Sequence, residues 1–548
     1  MSAARVVVPA GPGTPLPDAW RACVGTGRLN LALRSDYRES LALAQRDIGF
    51  RHIRGHGLLS DDLGIYRPWS HEGRSGVRHA FTYADQVHDT FLSLGVRPFV
   101  ELGFMPSALA SGDQTVFWWQ GNVTPPSSWS AWEDLVTAVV RHLVDRYGIE
   151  EVRTWPVEVW NEPNLTQFWQ GADQAAYLRL YEVTARAVKD VDASLQVGGP
   201  AVSPGADEWW EPFADFVAAR DVPCDFVSFH AYASGPAQHV PFGTYQTLAP
   251  PQRLLDQFAT PRRLLAGTAL ADRPRHVTEF NTSYRPDNPV HDTAYNAAYL
   301  APVLAGGGDL VDSFSYWTFC DVFEEEWIPT SFFHGGFGLL THRQVPKPTY
   351  HLYAFMARMG ARVLARGDDH LVCTDDDGRV TALAWQPVGG TDAPAAAERH
   401  EVRLSVPVRV PAAWSASGSA SDSGSVSGDP TTAFVVRQRV NEEDGNAFAA
   451  WRELGRPFSP TDRQVDVLRD LARPASSHTA LPVVDGRVDL DLSLSRHEVT
   501  FVEVTPVVPT THDGLDDRRL LGVDDGRLVA DPPGTGRSAR LVAGGAAG

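Results

Sequence analysis

Two segments end a β-prone run on a glutamate: Val157-Glu158-Val159-Trp160-Asn161-Glu162-Pro163-Asn164 and His276-Val277-Thr278-Glu279-Phe280-Asn281. Two carboxyl groups carried to strand ends from distant parts of a chain are the minimum equipment for cleaving a glycosidic bond. One protonates the leaving oxygen while the other meets the anomeric carbon from the opposite face. Glu162 is assigned as the acid, because Pro163 fixes the chain beyond it and Asn161 offers its amide to a sugar hydroxyl. Glu279 is assigned as the nucleophile, with Thr278 and Asn281 as hydrogen-bonding support. Two carboxylates this close cannot both ionise cheaply, so one keeps its proton at neutral pH. The expectation is a retaining double displacement with carboxyl groups roughly 5 Å apart. Taken singly, Asn-Glu-Pro reads as a turn with an exposed carboxylate; the joint occurrence of both segments carries the argument.

These glutamates need a scaffold that brings strand ends together. From the first strand signal to about residue 345, apolar β-branched runs alternate with helical stretches. Strands are expected at 28–33, 50–54, 97–102, 157–160, 196–199, 225–229, 276–280 and 311–318. Patterned helices fall at 37–46, 132–147, 175–190 and 294–305. Alternation of this kind implies parallel pairing, and eight repeats imply an α/β fold of the closed (β/α)8 type, a TIM barrel. An open doubly wound sheet is the competing reading, weakened because no Gly-x-Gly-x-x-Gly turn follows an early strand. In a barrel the chemistry sits at the C-terminal strand ends. That makes His56, Glu101, Asn161, Glu162, His230, Tyr232, Glu279, Asn281 and Trp317 candidates, and it places Glu162 and Glu279 after the fourth and seventh strands, facing each other across the mouth. Of the nearby aromatics Phe117, Trp118, Trp119, Phe168, Trp169, Trp317 and Trp327, roughly half are expected to line a sugar cleft and the rest to pack.

After Lys347-Pro348 the texture changes. A helix is expected at 349–364, then short strands at 370–374, 380–385, 401–406, 432–440, 486–492 and 498–504 form an accessory β-sandwich. A small helical segment at 460–471 interrupts it, with Ser459 as N-cap and Pro460 in the first helical position. The domain expectation is therefore a catalytic barrel over 25–345, the accessory domain over 346–505, and a flexible tail over 506–548. Segments 389–399 and 415–428, rich in Ala, Gly and Ser, read as open loops.

Composition narrows the function. The formal net charge of −19 argues against nucleic acid, whose backbone needs concentrated Lys and Arg, and favours a neutral ligand over a polyanion. No run of about 18 apolar residues indicates a membrane span. The N-terminal valine run is too short for a secretory signal, so the reading is cytoplasmic. Cys23, Cys224, Cys320 and Cys373 are scattered, with neither a disulfide nor a zinc pattern.

At these residues the chain resembles the β-xylosidases of glycoside hydrolase family 39. The matching pieces are Ile53-Arg54-Gly55-His56-Gly57-Leu58-Leu59-Ser60-Asp61-Asp62, Arg97-Pro98-Phe99-Val100-Glu101-Leu102-Gly103-Phe104-Met105-Pro106, Trp160-Asn161-Glu162-Pro163-Asn164-Leu165, Thr278-Glu279-Phe280-Asn281-Thr282-Ser283-Tyr284, Asp312-Ser313-Phe314-Ser315-Tyr316-Trp317-Thr318-Phe319 and Phe333-His334-Gly335-Gly336-Phe337-Gly338-Leu339. The resemblance implies Glu162 as acid/base and Glu279 as nucleophile. It also implies that His56, Asn161, His230, Tyr232, Tyr284, Trp317 and Glu324 surround a terminal xylose, with no metal or organic cofactor. The expected activity is exo-acting release of xylose from short xylo-oligosaccharides. The alternatives are α-L-iduronidase-like cleavage, which would need Arg or Lys in the pocket to hold a carboxylate, another retaining glycosidase of the family, and a sugar-binding protein without catalysis. A homo-oligomer is also expected to be possible.

Overall fold

The computed structural model describes residues 4–241, 243–389, 399–408 and 432–507. The loop expected at 415–428 and the tail beyond residue 507 lie outside the described residues.

Eight parallel strands close into a barrel in chain order: Cys23–Arg28, His52–His56, Arg97–Leu102, Pro156–Val159, Gln196–Val202, Phe226–Tyr232, Arg275–Asn281 and Ser313–Tyr316. Seven coincide with or overlap the expected segments. The first strand is a correction: it spans Cys23–Arg28, and Leu29–Leu33 turns into a 3-10 helix. Its apolar side chains, Leu29, Leu31 and Ala32, are buried as a turn beside the barrel. An apolar run near Gly25 and Gly27 was therefore misread by one element.

The helices wrap the barrel for sequence reasons that are locally visible. In Gln174–Val191, Tyr177, Leu180, Tyr181, Thr184, Ala185 and Val188 are buried, which is one stripe of a 3.6-residue period. The Asp173 side chain accepts the Ala176 N–H and starts that helix. Ser128 does the same for Trp129–Tyr147. The helix expected at 349–364 runs only over Pro348–Ala357. Tyr350 on it donates to Asp47 at 2.6 Å, at the end of the first barrel helix Ser35–Asp47.

The accessory part is two sheets that share a valine- and leucine-rich core. One has seven antiparallel strands in the order Thr14–Pro15, Arg362–Arg366, His370–Thr374, Val380–Trp385, Val499–Val507, Thr432–Val440 and Ala475–Pro482. The other has three, Val6–Val7, Arg399–Pro407 and Arg487–Ser495. Both therefore include N-terminal residues, and Val8 is fully buried in the shared core. Two helices, Ala447–Glu453 and Asp462–Leu471, are inserted between neighbouring strands. The second is capped by Thr461 in a reciprocal capping box with Gln464, two residues beyond the expected Ser459. Val465, Leu468 and Trp451 on these helices pack with Phe332, Phe333 and Val345 from the long loop after the eighth barrel strand. No helix among the described residues is long and apolar enough to cross a membrane.

Candidate active site

The fourth strand delivers Glu162 through an unusual turn. Trp160 and Glu162 both have positive φ, 72° and 43°, a left-handed conformation that costs a β-branched or bulky residue free energy and is held by its surroundings. Here the Trp160 indole N–H donates to Phe168 O at 2.8 Å, and the Glu162 N–H donates to Ala201 O at 3.0 Å on the neighbouring strand. Glu279 comes from within the seventh strand, where a register shift after Val277 against both neighbouring strands breaks the alternation, so that Thr278 and Glu279 both meet the interior network, Thr278 at Glu158 and Glu279 at Arg54. Ligating atoms of Glu162, His230 and Glu279 all lie within 4.8 Å of one another. The two carboxyl groups thus converge on one pocket of about 430 Å³, which both line.

Their surroundings differ. Glu279 accepts from Arg54 Nη1 at 2.7 Å and from the Tyr232 hydroxyl at 2.8 Å. Glu162 touches no cation directly; its partner is His230 Nδ1 at 2.9 Å. Burial pushes the Glu162 carboxyl up to about 7, against the pull of His56 and Arg54. Burial likewise pushes His230 down to about 4, so its imidazole is neutral at pH 7. One carboxyl therefore holds its proton up to about pH 7, while the other is held by a guanidinium and a phenol. The same trio, two carboxylates and an imidazole, has the spacing to take a divalent cation, although doing so would require the proton on Glu162 to leave.

Beneath the pocket floor lies Arg54, fully buried. Its Nε donates to Glu158 at 2.6 Å, Nη2 reaches Glu101 at 3.0 Å and the Asn161 carbonyl at 2.9 Å, and Nη1 holds Glu279. Thr278 donates to the other oxygen of Glu158 at 2.9 Å. Glu101 also meets His56 Nδ1 at 2.6 Å. Burial would raise Glu101, but His56 and Arg54 outweigh it and hold the carboxyl below its ordinary value. The opposite ring nitrogen of His56 faces the pocket, 3.6 Å from Glu279.

Of the other residues expected around the sugar, Asn161, Tyr232, Tyr284 and Trp317 line the pocket beside His56. Trp317 stacks obliquely on His56 with centroids 4.8 Å apart, and its carbonyl accepts from the Asn281 amide at 2.7 Å. Tyr284 stands edge-on to Tyr232 at 6.4 Å. His230 is buried behind the wall, touching Glu162 rather than the open space. Glu324 is elsewhere: its carboxylate takes Arg28 at 2.7 Å and Arg34 at 3.1 Å. The pocket-lining members of that acidic run are Glu325 and Glu326; Glu326 pairs with Arg285, and the Glu325 carboxyl is raised well above the usual range by burial and by Glu279 and Glu162. Two arginines from the first βα connection claim the first glutamate, which leaves the second to turn inward. Among the aromatics, Phe117, Phe168 and Trp317 line the pocket, whereas Trp169 is core.

Sequence reasoning left Arg54 and Glu158 without a role. Counting back two from His56 on a barrel strand lands on Arg54, and an arginine inside a barrel requires carboxylate partners. That parity was the available signal. Nothing in Glu324-Glu325-Glu326 distinguishes which member faces in, because a loop has no period.

Comparison with known proteins gives a consistent set of matches. The family model described as glycosyl hydrolases family 39 matches residues 5–489. A β-xylosidase of Geobacillus stearothermophilus is 48% identical over 506 residues, covering 91% of this chain and 96% of that protein. A β-xylosidase of Caldicellulosiruptor saccharolyticus is 33% identical, covering 88% and 95%. Among solved structures, a monomeric β-xylosidase from Caulobacter crescentus CB15 superposes with a TM-score of 0.80 at 33% identity, covering 92% of this chain and 100% of that one.

Proposed function

The chain belongs to glycosyl hydrolases family 39, and from that premise we propose that it is a retaining, exo-acting β-xylosidase that removes xylose from the non-reducing end of short xylo-oligosaccharides. The observation that carries the mechanism is the close approach of Glu162 and Glu279, within 4.8 Å, with burial pushing the Glu162 carboxyl up to about 7. This spacing suits direct attack by a carboxylate and leaves no room for an intervening water.

In the first step an oxygen of Glu279 bonds to the anomeric carbon as the glycosidic C–O bond breaks, and the Glu162 proton passes to the leaving oxygen. The resulting ester removes the Glu279 charge, so Glu162 becomes easier to ionise and serves as base. It takes a proton from water, the water oxygen bonds to the anomeric carbon, and the ester bond breaks to return free Glu279. His230 acts as a positioning residue for Glu162, and Tyr232 and Arg54 for Glu279. His56, Asn161, Trp317, Tyr284 and Glu325 are assigned to the ring and its hydroxyls. Glu325 takes that role in place of Glu324.

A neutral ring is favoured over a uronate. Arg285, the arginine lining the pocket, is already paired with Asp287 at 3.1 Å and Glu326 at 2.8 Å. Four free, buried cysteines support a cytoplasmic setting, in which imported short oligomers are the substrate.

The test is a panel of nitrophenyl xyloside, arabinopyranoside, glucoside and iduronide, with product stereochemistry followed by NMR. Xyloside should be preferred and β-xylose should appear first. Glu279→Ala should abolish turnover and regain it with azide as the α-glycosyl azide. Inverted first product, or no turnover of xyloside, would refute the assignment.

A further inference from the structure

The concave surface does not end at the two glutamates. Arg285, Pro286, Glu325 and Glu326 line the catalytic pocket and also a second hollow of about 1060 Å³, more than twice the pocket's 430 Å³. The two spaces adjoin, with those four residues as a shared wall. One wall of the larger space is the loop after the eighth barrel strand, from Phe323 to Gly335. The other is the inserted helix Ala447–Glu453 with the turn that follows it to Phe458. Phe333 locks the walls together, packing on Phe448 and Trp451 with ring centroids 5.5 and 5.4 Å away. The groove is therefore a joint product of the barrel and the accessory part.

Its lip exposes what a soluble protein ordinarily buries. Trp327 is 70% and Phe458 74% exposed, and Trp327 also sits at φ 88°. Trp327 stacks one face on Trp118 with ring centroids 6.2 Å apart, which leaves the other face to solvent, and neither Trp327 nor Phe458 is a buried core side chain. Arg285 is neutralised by Asp287 and Glu326, which leaves the near end of the groove without a strong net field. Flat apolar faces with hydrogen-bonding groups around them suit a chain of neutral sugar rings.

We propose that this groove binds the leaving-group side of the substrate, a run of further β-linked pyranose rings, with Trp327 and Phe458 as stacking platforms and the inserted helix as a wall. The inference rests on the exo-acting reading. If one terminal ring fills the small pocket, the remainder of the chain has to lie outside it, and the larger hollow is the space across the shared residues Arg285, Pro286, Glu325 and Glu326. The inserted helices then set preference for chain length, a role separate from bond cleavage.

The test compares kcat/KM on xylobiose, xylotriose, xylotetraose and nitrophenyl xyloside for the full chain and for Trp327→Ala and Phe458→Ala. Both side chains are mostly in solvent, so the variants should fold, which circular dichroism checks. The full chain should show kcat/KM rising with length. Each substitution should lower the ratio of xylotetraose to nitrophenyl xyloside about tenfold, equivalent to about 1.4 kcal/mol. Ratios unchanged by both substitutions, or no length dependence in the full chain, would overturn the groove assignment while leaving the xylosidase reading intact. Absence of turnover on any xyloside by the full chain would instead remove the reading on which it rests. A change in solution molar mass on either substitution would identify the patch as a contact between copies and overturn the proposal.

Discussion

Glu162 and Glu279 share a side chain and differ in what touches it. Glu279 is held by Arg54 and Tyr232, whereas Glu162 has a neutral imidazole. A pH profile should expose that difference. Glu162 is pushed up to about 7, and the first step needs its proton. kcat/KM on xylobiose should therefore fall as pH rises through about 7, approaching a tenfold loss per unit. Dinitrophenyl xyloside, whose leaving group needs no proton, should show a much weaker basic limb; equal limbs for both substrates would contradict the acid role. Arg54 belongs to the same scale. Its removal leaves Glu101, Glu158 and Glu279 buried without their shared cation. Such a loss costs about 3–5 kcal/mol. Arg54→Lys keeps the charge but loses the fork. It should lower the thermal midpoint and, by loosening the hydrogen bond that places Glu279, lower kcat more than it changes KM. An unchanged kcat with an unchanged midpoint would show that the floor does not act on Glu279.

At the scale of elements, the strands Val6–Val7 and Thr14–Pro15 test how the accessory part is held. Val6–Val7 runs parallel to Arg399–Pro407, and Thr14–Pro15 antiparallel to Arg362–Arg366. A chain lacking residues 4–17 loses both pairings and the buried Val8, whose transfer alone is worth about 1.5–3 kcal/mol. Hydrogen exchange should quicken in Arg399–Pro407 and Arg362–Arg366 while the barrel strands stay protected and turnover persists. Uniform quickening would mean that the two parts unfold as one. These short strands also mark the limit of what the sequence discloses. Runs such as Val157-Glu158-Val159 and Phe226-Val227-Ser228-Phe229 announce buried parallel strands because both faces are covered. A two-residue strand has no period to detect, and the polar hairpin Tyr66–His71 with Arg74–His79 pairs without a core to pattern it. Glu162 and Glu279 stand out in the sequence because each follows an apolar, β-prone run, and the structure brings the two into one pocket. Arg54 and Glu158 face inward from within strands, where only parity marks them. The choice between Glu324 and Glu325 depended on Arg28 and Arg34, which lie almost 300 residues away in sequence.

At the scale of the whole molecule, the accessory part is more than a companion to the barrel. Its inserted helices reach the loop that carries Glu325, so the mouth is framed by both parts. The formal charge of −19 disfavours a polyanionic ligand at that mouth. The sandwich, for its part, is sewn from the two ends of the described chain: Val6 pairs with Leu404. During translation the earlier valine emerges roughly 400 residues before its partner, a delay of about 20–80 s at ~5–20 residues per second. The barrel strands are all made within that interval. A ribosome paused just past the eighth of them would thus hold all eight barrel strands already made and a leading valine pair whose partners, Leu404 and Ser405, do not yet exist.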